Sequence, residues 1–477
     1  MDTIEPRELI ASGMKQGWWV PAAVAAANQA LRDGASRDDA LAAGRACEPS
    51  QTPLRERGSL PFHVNLDANT DAERANRDAV IETMTELMRT PPVRAGAVMP
   101  DACPAGPVGT IPVGGIAASE AIHPGMHSAD ICCSMAITTF PGQSPADVLN
   151  AVHAVTHFGP GGRKDAPPLP VVVEERFATN PFLSEHVKVK GAQGMKVVAR
   201  THFATQGDGN HFAYVGTLAS DGTTALVTHH GSRAPGGLLY KAGMLAAERE
   251  RNQTSPQTLK ANAWLVVDSR LGEDYWDALQ AIRLWTRESH FAIHDLTAVK
   301  LGARRGDRFW NEHNFVFRKS DGLFYHGKGA TPAFPSWADD AGELTIIPLN
   351  MAEPILIVRG SNAENGLGFS PHGAGRNMSR TAHKRALDGE PAQSVFERET
   401  RDIDARFFHN NIDVSELPSA YKDASAVKEQ ISHYGLAEIV DEVIPHGCIM
   451  AGDWERDAPW RKKAAAKRAA RERASAR

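Results

Sequence analysis

NHFAYVGTLASDGTTALVTHHGSR, residues 210–233, reads as two β-strands folded about a two-residue turn at Asp221-Gly222. Asp-Gly supplies the positive-φ corner that matches the twist of paired strands, and the β-branched and aromatic residues on either side favour extended backbone. Such a pairing returns the chain to its starting point, so His211, at the start of one strand, and His229, near the end of the other, share the open end. EHNFVFRKSDGLFYHGKGATPAF, residues 312–334, repeats the arrangement about Asp321-Gly322 and brings His313 and Lys328 to its own open end. The likeness is topological; no internal sequence repeat accompanies it.

Around these hairpins the chain turns helical. PAAVAAANQALRDG and SRDDALAAGRAC, within residues 10–46 and just beyond, read as two short helices parted at Gly34, the second capped afresh by Ser36. A further helix over residues 72–88 stops ahead of Pro91-Pro92, where proline cannot continue the hydrogen-bond ladder. EDYWDALQAIRLWTRESHFAIHD sets Trp276, Leu279 and Ile282 at helical spacing, a core-facing stripe. Residues 98–135, rich in Gly, Pro and β-branched side chains, suit a tightly wound loop-and-strand core.

Hydrophobic content of 42% and charged content of 23% belong to an ordinary globular protein, and 477 residues leave room for one large decorated domain or two. The net charge of -5 conceals a Lys- and Arg-dense stretch over residues 460–477, so any attraction to polyanions is local. That stretch is either a solubilising extension or a nucleic-acid contact. The five cysteines are odd in number and scattered, and Cys132 and Cys133 are adjacent, which argues against a disulfide framework and for a reducing compartment. The N-terminus lacks a basic stretch followed by an apolar one, and no run approaches the roughly 20 apolar residues of a spanning helix. A cytoplasmic protein with no membrane association is the expectation.

Four clusters carry chemistry. In DICC, residues 130–133, a carboxylate and a thiol three apart can flank or bridge metal, although a buried cysteine is also simply a small hydrophobe. GDGNHF, residues 207–212, sets His211 behind a glycine-rich approach, and HHGSR, residues 229–233, offers His229 and His230 followed by a hydroxyl and Arg233. Together these suit metal ligation beside an oxyanion site, with His313 as a third imidazole and Lys328 as a cation beside it. In SPHGAGRNMSR, residues 370–380, His372 precedes Gly373-Ala374-Gly375, a backbone that can approach a phosphate closely, and then Arg376 and Arg380. A histidine that attacks phosphorus needs a neutral imidazole, nearby positive charge and a metal to draw charge from the phosphate.

With MPDACPAG, ADICCSM, EHNF, HGKGATPAF, AYKDASAVKEQI and PHGCIMAG, these motifs resemble, in order, the RtcB family of RNA ligases over residues 79–452. The resemblance implies an α+β fold: a single large domain of mixed β-sheets around a metal-lined cleft over residues 78–452, a helical extension over 1–77 and a basic Ala-rich tail over 453–477. It implies that Cys133 bridges two Mn(II) ions, one also held by His229 and His313, the other by Asp130 and His211. His372 would attack the α-phosphorus of GTP, giving guanylyl-histidine and pyrophosphate. The nucleotide would pass to an RNA 3′-phosphate and be displaced by a 5′-hydroxyl, with a 2′,3′-cyclic phosphate first opened by hydrolysis, as in RNA repair or tRNA splicing. Asn210, Asn314, Asn350, Met351, Gly373, Ala374 and Gly375 would line the nucleotide. Arg233, Lys328, Arg376 and Arg380 would face phosphate or RNA.

This chain departs from the family pattern chiefly where guanosine is held. Tyr214 stands where relatives carry glutamate, PLNM at residues 348–351 where they have Pro-Gly-Ser-Met, and Ala451 in place of a lysine. Gly327 and Pro332 replace arginines, Pro371 replaces Cys or Ser, and Cys103 replaces a histidine. A divergent member with a special RNA substrate is expected. The alternatives are a catalytically idle RNA-binding homologue and a metal-dependent cyclic phosphoesterase.

Overall fold

The computed structural model describes residues 3–17, 19–48, 50–189 and 194–454. In chain order its strands are β1 (His63–Val64), β2 (Val93–Cys103), β3 (Val113–Ser119), β4 (Ser134–Thr139), β5 (Phe212–Leu218), β6 (Thr224–His230) and β7 (Arg308–Glu312). They continue with β8 (Asn314–Arg318), β9 (Phe324–Lys328), β10 (Ala330–Pro332), β11 (Leu344–Ile347), β12 (Ile355–Gly360), β13 (Phe369–Pro371), β14 (Asp404–Phe407) and β15 (Ala437–Met450). With the helices they build the expected α+β fold, its sheets arranged as β11-β12-β15-β5-β6-β4-β7 with β14 alongside β15, β1-β2-β3-β9-β8, and the pair β10-β13.

Both Asp-Gly turns close hairpins. β5 pairs antiparallel with β6, and β8 with β9, while Gly222 and Gly322 adopt φ of 74° and 83°. The two hairpins lie in different sheets, and His313 is the single residue between β7 of the larger and β8 of the smaller. Its N–H donates to Cys133 O at 2.9 Å and its carbonyl accepts from Ala330 N–H at 3.0 Å, so the junction is stitched to the segment entering β4.

Register decides what faces the cleft. His229 pairs with Phe212 and with Met135, and Met135 pairs with Asn311, which places these side chains on one face. Cys133 and His313, two residues beyond Met135 and Asn311, continue that face past the strand ends. Ser134, Thr138, Thr228 and His230 point the other way, toward the helix Arg270–Leu301. There His230 stacks on His290 with ring centroids 3.5 Å apart, and Thr228 Oγ1 lies 2.7 Å from His290 Nδ1. The adjacent histidines of HHGSR are therefore split, one to the cleft and one to the core. On the same helix Leu279 and Ile282 are fully buried, and half-buried Trp276 meets Phe324 of β9 edge-on.

Near the N-terminus, α1 (Pro6–Ala11), α2 (Val20–Arg32) and α3 (Arg37–Arg45) pack around Leu9, Trp19, Ala23, Ala27 and Ala40. Ser36 caps α3, its hydroxyl accepting from Asp39 N–H at 3.2 Å. Ser36→Ala is expected to cost about 1 kcal/mol, seen as a lowered thermal midpoint. α4 (Asp71–Leu87), closed at its start by a Thr70/Glu73 capping box, buries Val80, Met84 and Leu87 in the cluster that also holds Val93 and Val98 of β2. It spans the boundary at residues 77–78 drawn from the sequence. The basic tail lies outside the described residues from 455 onward. No described helix is long and apolar enough to cross a membrane.

Candidate active site

Two overlapping trios, Cys133 with His229 and His313, and Cys133 with Asp130 and His211, converge at the ends of β4, β5, β6 and β7. Cys133 Sγ lies 3.1 Å from His229 Nε2 and 3.4 Å from His211 Nε2. His229 Nε2 lies 3.1 Å from His313 Nε2, and His211 Nε2 lies 3.0 Å from Asp130 Oδ2. All five residues singled out as ligands in the sequence thus meet in one place.

The donor chemistry of the first trio fits a cation. His229 Nδ1 donates to Asn210 O at 3.0 Å, so its Nε2 carries a bare lone pair, aimed at a sulfur and at another imidazole nitrogen. Burial holds His229 and His313 well below the usual histidine range, which favours the neutral form that can coordinate a metal. Burial and the Asp130 carboxylate push the Cys133 thiol well above its usual value, a cost that a bound cation removes by ionising it. One thiol, three imidazoles and a carboxylate suit a first-row transition ion.

His372 stands beside this cluster, its ring centroid 4.9 Å from that of His313. Its Nδ1 lies 2.6 Å from Oδ2 of the fully buried Asp101, which also accepts from His372 N–H at 3.2 Å. A carboxylate in that position accepts a hydrogen bond from Nδ1–H, which keeps the ring hydrogen there and leaves Nε2 as the nucleophilic nitrogen. Asp101 lies within MPDACPAG, but nothing in the sequence pairs it with a histidine 271 positions away. Lys422 fixes the carboxylate's backbone, Nζ donating to Pro100 O and Ala102 O at 2.9 Å each, while Lys422 N–H donates to Gly375 O at 3.0 Å. Gly375 has φ of 71°, and a Cβ there would lie 2.0 Å from Asp101 O, so this corner accepts only glycine.

A single pocket joins His229 and His372 to Asn210, Asn314, Lys328, Asn350, Met351, Gly373, Ala374, Gly375, Arg376 and Arg380. The cations among them are already engaged. Lys328 Nζ donates to Ile111 O at 3.0 Å, and Arg376 and Arg380 both pair with the buried Glu416, at 2.8 and 2.9 Å. Glu416 also accepts from the Tyr421 hydroxyl at 2.7 Å, and the Arg376 guanidinium lies 4.3 Å from the Tyr421 ring centre. Arg233 is not on the pocket wall: it sits behind the Gly207–His211 turn and donates to Gly159 O at 2.6 Å. Ser232 Oγ donates to Ile131 O, so the hydroxyl of HHGSR is spent on backbone. Glu416, Tyr421 and Lys422 are pocket or support residues given no role in the sequence reading, since what marks each is a partner far along the chain, Arg376 for Glu416 and Tyr421 and the Pro100 and Ala102 carbonyls for Lys422.

A model of the family described as tRNA-splicing ligase RtcB matches residues 171–451. The curated tRNA-splicing ligase RtcB of Archaeoglobus fulgidus is 28% identical over 287 residues, covering 52% of this chain and 59% of that protein. The tRNA-splicing ligase RtcB of Aeropyrum pernix is 26% identical over 319 residues, 58% of this chain and 64% of that protein. The RNA-splicing ligase RtcB of Escherichia coli K12 is 29% identical over 242 residues, 47% of this chain and 56% of that protein. The chain thus spans less than two thirds of the length of each of these relatives.

Proposed function

The chain belongs to the RtcB family, and we propose that it joins RNA 3′-phosphate or 2′,3′-cyclic phosphate ends to 5′-hydroxyl ends through a nucleotidyl-histidine at His372. One observation carries this reading: His372, its Nδ1 engaged by Asp101, shares a pocket with His229 and stands with its ring 4.9 Å from that of His313, both members of a cluster that could hold a metal ion. GTP is the nucleotide implied by the family resemblance, and RNA repair or tRNA splicing the setting. Five unpaired cysteines suit a reducing cytoplasm.

In this proposal His372 Nε2 attacks the α-phosphorus, a P–N bond forms and pyrophosphate leaves. An oxygen of the RNA 3′-phosphate then attacks the same phosphorus, the P–N bond breaks and an activated RNA–nucleotide anhydride results. The 5′-hydroxyl attacks the RNA phosphorus, loses its proton and expels the nucleoside monophosphate. Asp101 accepts the hydrogen bond of Nδ1–H throughout. Gly373, Ala374 and Gly375 bring backbone close to phosphate, and Asn210 fixes His229 through its carbonyl. Asp130, Cys133, His211, His229 and His313 would hold Mn(II), two ions by the family resemblance, which when bound would withdraw charge from the phosphates.

Incubating the protein with Mn(II) and α-labelled GTP or ATP, followed by denaturing electrophoresis, is expected to leave label on the wild type and none on His372→Ala. Absence of label with either nucleotide, or equal label on the variant, sinks the proposal. Cleavage of a cyclic phosphate without nucleotide, with no label on His372, identifies a phosphoesterase instead.

A further inference from the structure

The pocket that holds His372 has two unlike ends. Toward the ligand cluster it presents Asn210, His229, Asn314, Lys328 and His372. Phe212 joins the two ends, its ring centroid 5.2 Å from that of His229, and beyond it stand Tyr214, Leu349, Met351, Cys448 and Met450. This second wall is built by register: β5 pairs with β15 so that Phe212 lies opposite Met450 and Tyr214 opposite Cys448, four neighbouring side chains on one face. Leu349 and Met351, between β11 and β12, close it.

Polar groups on this wall are spent or undiscriminating. The Tyr214 hydroxyl lies 3.0 Å from Val443 O and 3.1 Å from Glu353 O, and the residue is almost fully buried, so its proton is engaged by backbone. Asn350 Oδ1 accepts from Ala352 N–H at 2.9 Å, which leaves its Nδ2 donors, and every nucleobase offers an acceptor edge. Aromatic rings and thioethers grip a flat π-system by dispersion and stacking, which all bases provide.

We infer that this wall receives the purine of the transferred nucleotide without reading its hydrogen-bonding edge, so that the protein takes ATP and GTP comparably. The inference rests on the nucleotidyl-transfer reading of the pocket and deepens it. A site built to hydrogen-bond its substrate rejects an analogue by about 10⁴-fold or more, whereas an apolar pocket discriminates by only about 10- to 200-fold. The affinity ratio of the two purines is therefore expected to fall within about thirtyfold.

Titration calorimetry of the protein with Mn(II) and either ATP or GTP, run beside the labelling assay, tests this. Affinities within about thirtyfold support it, and they do so even if neither nucleotide labels His372, in which case the ligation reading alone fails. A larger ratio in either direction, or no binding of either, overturns it. Tyr214→Phe is expected to keep the ratio within about threefold of wild type, and a larger change shows that the hydroxyl reads the base and overturns the inference. Met351→Trp, checked for an unchanged thermal midpoint, is expected to weaken both purines by a similar factor. Unaltered binding there places the purine elsewhere and equally overturns it. The unsubstituted protein decides the matter if that variant does not fold.

Discussion

Cys133→Ala is expected to lower metal content and to cut nucleotide labelling by more than about 100-fold, the loss that disturbing a mere supporting partner of a metal ligand reaches. The sulfur belongs to both trios, so its removal takes one donor from each. What remains is His229 facing His313 across 3.1 Å and His211 facing Asp130 across 3.0 Å. Cys132→Ala is the control. Cys132 is also buried but interacts with Thr286 and Glu312 instead of the ligand cluster, on a backbone of φ 57°. It is expected to leave metal content, measured by plasma emission spectrometry, at the wild-type level. Equal losses in the two variants would show that the DICC segment matters for packing alone.

How much of this was legible in the sequence depends on the range over which each interaction acts. The hairpins were, because an Asp-Gly corner and its flanking strands are local. The five candidate ligands were singled out because histidine, cysteine and aspartate fell at hairpin ends and in one short loop. The separation of His229 from His230 follows from the two-residue period of a strand, yet it acquires meaning only once His290, on a helix sixty positions away, supplies the partner. Arg376 and Arg380 read as phosphate-facing cations because charge is visible in sequence and its neutralisation is not: Glu416 lies 40 residues beyond Arg376. The same limit hid the packing of α4 on β2 and the role of Lys422, whose ammonium brackets Asp101 from a distance of more than 300 residues along the chain.

Asp101→Asn is expected to reduce labelling of His372 by on the order of 10² to 10⁴ while leaving metal content unchanged. The change is nearly isosteric, so the pocket keeps its shape, and the argument turns on one proton. With aspartate, an acceptor lies 2.6 Å from Nδ1, and the neutral ring carries its hydrogen there. An asparagine that turns its oxygen to Nδ1 preserves this tautomer but loses the charge that stabilises the ring as its Nε2 takes on phosphorus. One that turns its amide instead donates to Nδ1 and drives the hydrogen to Nε2, which blocks attack. Neither rotamer is as good as the carboxylate, and the backbone N–H of His372, which Oδ2 also accepts at 3.2 Å, favours the oxygen-facing one. Ring NMR of ¹⁵N-histidine protein separates the cases: loss of labelling with the hydrogen still on Nδ1 assigns the effect to charge, and its appearance on Nε2 assigns it to tautomer. Full labelling in the variant would remove Asp101 from the nucleophile's support and reduce it to a buried carboxylate that ties the residue 372 backbone to β2.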